Sequence, residues 1–177
     1  MIRKTYIFFI LLFLTACNAG EQGKIDQEPQ VVKRDGEPAI YTIDRNDDEM
    51  NKAIEKARKS LSFFKAAILN PKNTYNNFSL KVKFVENGET EHIWLSEVIY
   101  SKGNYSGIVN NDPEYISGIK YGDVIKIDPT TISDWMYLEG DVMRGGFTTR
   151  VLFRTMSKKE KEEFLLTNGI IIDEKEI

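Results

Sequence analysis

The spacing of apolar positions changes repeatedly along this chain, and each change marks an element. Tyr6 to Leu14 is an unbroken run of nine apolar residues. As a helix it would span only ~13 Å against a hydrocarbon core of ~30 Å, too short to cross a membrane by itself. Further on, Met50, Ala53, Ile54, Ala57, Leu61, Phe64 and Ile68 recur at steps of three and four. They form one stripe, which predicts a single long amphipathic helix with its apolar side on a core. Asn46 with Glu49 three residues on supplies a capping pattern, Asp47 and Asp48 suit the positive helix end, and Asn70-Pro71 stops it.

From Phe78 the period becomes two. Phe78, Leu80, Val82 and Phe84 alternate with Ser79, Lys81 and Lys83, the pattern of a strand with one buried face. Asn87-Gly88 then predicts a two-residue type I′ turn into a second strand, Thr90 to Ile99. Such a turn pairs Val82 with Ile93 and Leu80 with Leu95 on the core side. Lys83 with His92 and Lys81 with Trp94 fall on the other. A one-residue slip would exchange the two faces, so the turn decides where the lone histidine points.

Further strands are expected near Tyr105–Val109, Asp123–Asp128, Ile132–Glu139 and Phe147–Phe153, with Asp128-Pro129, Gly140-Asp141 and Gly145-Gly146 as turns between them. Ser157 with Glu160 has capping-box spacing and opens a short terminal helix ending near Asn168-Gly169. The expected fold class is α+β: one long N-terminal helix packed on a mostly antiparallel, strongly twisted sheet, with a short C-terminal helix. The short, glycine-punctuated strands would let the sheet coil into a partly open barrel.

The first seventeen residues give an address. Arg3 and Lys4 precede the apolar run, and Leu14-Thr15-Ala16-Cys17 follows it. This resembles a lipoprotein signal peptide and its lipobox. The resemblance implies cleavage after Ala16 and acylation of Cys17, with palmitate-type chains holding the protein on the membrane. The expected layout is then signal peptide at 1–16, lipidated Cys17 and a disordered tether through Pro38, and one globular domain at 39–177. A short strand is expected at Ala39 to Ile43. The tether is read from its glycines, prolines and charges, interrupted only by Val31-Val32. Asn18 after the lipidated position lacks the acidic residue associated with inner-membrane retention, which favours the outer membrane where the cell envelope has two.

Composition narrows the classes further. Cys17 is the only cysteine, so acylation would leave no thiol for a disulfide, a nucleophile or a metal. His92 is the only histidine, which excludes a multi-histidine metal site. Removing Arg3 and Lys4 from 24 basic residues leaves 22 against 27 acidic ones, a formal charge of −5. That balance offers no footprint for nucleic acid. No cofactor is expected.

Five ordered motifs carry a second resemblance: Glu91-His92-Ile93-Trp94-Leu95, Gly107-Ile108-Val109-Asn110-Asn111, Gly122-Asp123, Ile132-Ser133-Asp134-Trp135-Met136-Tyr137, and Gly145-Gly146-Phe147-Thr148-Thr149-Arg150. Together they resemble the bacterial DUF2314 family, a domain of unknown function, over roughly Tyr41 to Phe164. The resemblance implies a single domain and carries over no activity, substrate or catalytic residue.

The candidate binding patch is His92, Trp94, Lys81, Lys83, Asp134, Trp135, Tyr137 and Arg150, since Trp, Tyr and Arg dominate binding hot spots. The competing expectation is that the tryptophans wedge the sheet against the helix. A hydrolase would use His92 as general base with Asp134 as its orienter. No free Cys and no Gly-x-Ser-x-Gly elbow supplies a nucleophile. The leading expectation is a membrane-tethered envelope lipoprotein with a non-enzymatic protein- or ligand-binding domain. An inhibitor or immunity-type protein is a further alternative.

Overall fold

The computed structural model describes residues 30–32, 40–42 and 47–173. The apolar run, the lipobox and most of the tether lie outside the described residues. Within the segment expected to be disordered, β1 (Gln30–Val32) pairs antiparallel with β2 (Ile40–Thr42), the short strand expected at 39–43.

The stripe from Met50 to Ile68 is divided between two helices rather than carried by one, α1 (Asp48–Lys59) and α2 (Leu61–Leu69). Asp47 caps α1, one residue later than expected, and its carboxylate accepts from the amides of Glu49 and Met50 at 2.9 and 3.0 Å. The break at Ser60 has a visible cause. The Ser60 hydroxyl donates to the carbonyls of Lys56 and Ala57, and the Trp135 indole donates to Ala57 O at 3.0 Å. Carbonyls of the last turn of α1 are thus satisfied from the side, and the second helix starts afresh.

Six strands form one open antiparallel sheet: β3 (Tyr75–Glu86), β4 (Glu89–Ser101), β5 (Asn104–Val109), β6 (Val124–Ile127), β7 (Ile132–Glu139) and β8 (Val142–Gly145). Their order is β6-β5-β4-β3-β7-β8, so the sheet does not close into a barrel. The β3–β4 register follows the turn: Leu80 pairs with Leu95, Lys81 with Trp94, Val82 with Ile93 and Lys83 with His92. Asn87 and Gly88 both have positive φ, 50° and 86°, as a type I′ turn demands. A bulge between Asn76 and Ser79 and another between Ser96 and Ile99 add to the twist.

The core lies between the inner sheet face and α1–α2. Leu80, Ile93, Leu95, Val109 and Ile132 from the sheet meet Ala57 and Phe64 from the helices. Phe64 is fully buried, and its ring lies 5.8 to 6.2 Å from those of Phe78, Tyr105 and Trp135. Phe78 and Phe84, expected in the buried set, are only partly buried at its margin.

The segment expected as a final strand is a helix, α3 (Phe147–Thr155). Gly145-Gly146 is accordingly no hairpin turn; the hairpin is at Gly140-Asp141, between β7 and β8. A side chain at Gly145 would overlap the Trp135 carbonyl and ring, and Gly146, at φ 64°, is the α3 N-cap. The last helix, α4 (Lys158–Asn168), opens with the expected reciprocal Ser157–Glu160 capping box and ends at Gly169.

Candidate functional site

Strand alternation brings Lys81, Lys83, His92 and Trp94 to the sheet face opposite Leu80, Val82, Ile93 and Leu95, as the turn dictates. Lys83 is exposed, and the other three are half-buried. The Lys81 ammonium stands 5.6 Å from the centre of the Trp94 ring, a cation–π contact across the strand pair. Neighbouring β7 places Asp134 beside Lys81 on this face, and Ser133 next along the chain reaches His92.

The remaining sequence candidates lie elsewhere. Trp135 registers against Leu80 on the core face, is 5 % exposed, and is bonded through its indole to α1. It is the wedge, not part of the patch. Tyr137 stacks on Phe78 and Trp135 in the same layer, and burial beside Tyr75 pushes its phenol up to about 12. Arg150 is 3 % exposed and donates to the carbonyls of Gly145, Met143 and Asp173. Its guanidinium fastens β8, the start of α3 and the chain beyond α4 to one another, an assignment that buried backbone acceptors explain without any ligand.

Asp134 is fully buried and its carboxylate accepts four hydrogen bonds. The Trp135 and Phe147 amides donate to Oδ1 at 2.8 and 3.2 Å; the Thr148 amide and hydroxyl donate to Oδ2 at 2.7 Å each. Asp134 therefore caps α3 from thirteen residues away, replacing the side-chain cap that Gly146 cannot provide. Burial raises its pKa, opposed by Thr148, Lys81 and the Trp135 amide. The Lys81 ammonium donates to Thr148 Oγ1 at 3.3 Å, so a chain of donors runs from Lys81 through Thr148 to Asp134. Desolvation lowers the Lys81 pKa, and Asp134 works in the opposite direction.

His92 Nδ1 lies 2.8 Å from Ser133 Oγ, and the same hydroxyl lies 3.2 Å from the carbonyl of Lys81. One hydroxyl proton serves one of these two acceptors, and the imidazole tautomer adjusts to the choice. Burial, then Lys81, Lys83 and Arg58 in that order, hold His92 down to about 4. The ring is therefore neutral at physiological pH. Arg58 reaches this end of the sheet by donating to the Ile132 carbonyl at 2.9 Å.

This arrangement is not that of a working acyl-transfer site. His92 is partnered by Ser133 rather than Asp134, whose lone pairs α3 already occupies. Ser133 is fully buried, so its oxygen cannot meet a substrate carbonyl. Neither His92 nor Ser133 lines the surface cavities of about 250 and 180 Å³, although Lys83 borders the smaller one. Among the described residues no group of three His, Cys, Asp or Glu side chains could hold a metal. What the face does offer is a half-exposed aromatic ring flanked by cations. Sequence reasoning left Ser133 and Thr148 out of the candidate site. The alternation of β7 beside Lys81 could have found the first, and nothing local points to the second.

Residues 47–171 match the family described as an uncharacterized protein conserved in bacteria, DUF2314. The chain is 40 % identical to the uncharacterized protein YegJ of Escherichia coli K12 over 114 residues, which is 64 % of this chain and 73 % of that protein. It is 27 % identical over 143 residues to an ankyrin repeat protein of Neisseria meningitidis serogroup B, 76 % of this chain and 56 % of that protein. Basic membrane protein D of Borreliella burgdorferi is 25 % identical over 115 residues, 62 % of this chain and 32 % of that protein. The chain thus spans only about half and a third of the latter two relatives. No solved structure matches it. With most of its described fold inside the family match, and a relative at this identity covered over nearly three quarters of its length, the chain belongs to the DUF2314 family.

Proposed function

We propose that this protein is an envelope lipoprotein, held to the membrane through acylated Cys17, whose folded domain is a non-enzymatic binding module for an acidic protein surface. The observation that carries the reading is the outer face of the β3–β4 hairpin. There the half-buried Trp94 lies under the Lys81 ammonium, with Lys83 and the His92 ring beside it. Trp brings large contact area at low entropy cost, and cations around it select an acidic partner and speed encounter. Lys83 makes no ion pair among the described residues, and the one buried carboxylate nearby is consumed by α3. The lipobox and the polar segment after Cys17 support the anchoring half of the proposal. Where the envelope has two membranes, the outer one is the proposed site. An inhibitor or immunity-type role fits the same surface, because such proteins act by occlusion and need no chemistry of their own.

The test is affinity capture from detergent-solubilised envelopes, with Trp94→Ala and Lys83→Glu beside the wild type. A partner retained by the wild type and lost by both variants, at little-changed thermal stability, supports the module. A Trp94→Ala domain destabilised by ~3–5 kcal/mol would make the ring a packing element instead.

A further inference from the structure

On the helix side of the sheet, away from the Trp94 face, a cleft of about 250 Å³ opens between the first turns of α2 and the β4–β5 hairpin. We propose that this cleft binds a small organic carboxylate with a short apolar tail.

The turn at Lys102-Gly103 folds β5 back so that Tyr100 and Tyr105 pair across the strands, with ring centres 4.7 Å apart. Both rings line the cleft, facing Leu61, Ser62 and Lys65 of α2, with Pro129 closing one side. Tyr105 is 3 % exposed, and its hydroxyl bonds to no group among the described residues. A buried hydroxyl left without a partner forfeits a hydrogen bond that it would make in water, so such a group calls for an acceptor from outside the chain. Burial, reinforced by Tyr100, raises the Tyr105 pKa, so the phenol is a donor at neutral pH.

The rest of the lining agrees on what that acceptor is. Ser62 and Tyr100 carry hydroxyls with no hydrogen bond among the described residues, and the Lys65 ammonium stands 4.7 Å over the Tyr100 ring. Lys65 has no carboxylate partner there either. Three hydroxyl-bearing side chains and one lysine line the space, and no acidic side chain does. One positive charge matches a monoanion better than a phosphate dianion. Leu61 and Pro129 supply an apolar wall for a few methylenes. The volume lies below the ~300–1,000 Å³ of pockets that take drug-sized ligands, which limits the occupant to a few heavy atoms within the cleft.

The experiment records isotope-labelled amide spectra of the full chain, solubilised in non-ionic detergent and titrated separately with butyrate, its neutral isostere butyramide, and inorganic phosphate. The expected result is saturable butyrate shifts at Ser62, Lys65, Gly103 and Tyr105, with no binding of butyramide. Tyr105→Phe and Lys65→Gln should each weaken butyrate by about ten-fold or more. Tyr105→Phe should also leave the melting temperature unchanged or higher, because it removes an unsatisfied hydroxyl. Absence of saturable shifts, equal affinity for butyramide, unchanged affinity in both variants, or tighter binding of phosphate than of butyrate would each overturn the proposal.

Discussion

Replacing Asp134 by alanine should be among the most damaging single changes in this domain, and the reason is legible atom by atom. The carboxylate is fully buried and receives three backbone amides and one hydroxyl, two of the amides being the first of α3. Alanine would leave all four donors unpaired, remove the α3 cap, and strand the desolvated Lys81 ammonium without its nearest counter-charge. Loss of a cap costs about 0.5–2 kcal/mol and each buried unsatisfied donor about 1–3 kcal/mol. The recovered desolvation of the carboxylate offsets part of this, giving the ~3–5 kcal/mol typical of removing one partner from a buried charged pair. At a urea dependence of ~2 kcal/mol/M, the unfolding midpoint followed by circular dichroism should fall by ~1.5–2.5 M. Asp134→Asn keeps one acceptor but turns an amide toward the Thr148 N–H, and should cost about 1–3 kcal/mol. A midpoint within ~0.25 M of wild type for Asp134→Ala, equivalent to ~0.5 kcal/mol, would refute the capping role. Loss of partner capture at unchanged stability would return the residue to the functional surface.

His92 should make the domain acid-sensitive. Its ring is held at about 4 against 6.5 in the unfolded chain, so between those values only the unfolded state takes up the proton. That stabilisation is complete above pH 6.5 and is lost as the pH falls toward 4. Its ceiling is ~3 kcal/mol, or ~1–2 kcal/mol allowing for partial solvent screening. In His92→Gln the drop in urea midpoint between pH 7 and pH 4.5 should shrink correspondingly, and identical drops in both proteins would count against the assignment. Gly145→Ala should cost at least ~3 kcal/mol, because the new Cβ overlaps the Trp135 carbonyl and lies 2.5 Å from its ring, at a φ of +72°. Gly88→Ala, with open space around it at φ +86°, should cost only ~1–2 kcal/mol. Equal melting temperatures for the two variants would contradict this reading of the close approach.

The contrast between the β3–β4 hairpin and α3 shows which interactions a sequence reveals. Asn87-Gly88 sets its own backbone angles, the turn sets the register, and the register assigns each side chain from Leu80 to Leu95 a face. Every step is local, so the positions of His92 and Trp94 follow without a structure. Phe147 to Phe153 is rich in aromatic and β-branched residues and resembles a strand. Its helicity rests on Asp134, on the Arg150 contacts to Gly145 and Met143, and on packing against α1, none of which is visible in a short window. The same holds for Ser60, an ordinary helix position until Trp135 donates into the turn before it. The candidate site divides along this line. Lys81, Lys83, His92 and Trp94 were legible through strand period, whereas Ser133 and Thr148 enter through contacts 41 and 67 residues apart. Lys81 belongs to both groups. The alternation places it correctly, but its contact with Thr148 makes it a part of the polar network rather than a silent surface lysine.

The proposal places a binding module on a membrane, and the anchor is the part on which everything else depends. The direct measurement is metabolic labelling with an alkyne fatty acid, followed by membrane fractionation and intact mass, for the wild type and Cys17→Ser. The account predicts a labelled wild type in the membrane pellet, at the mass of a chain starting at diacylated or triacylated Cys17. It predicts an unlabelled Cys17→Ser variant that is uncleaved or mis-processed. A wild type that carries no label, or a Cys17→Ser variant that is still labelled and pellets at the mature mass, would contradict it.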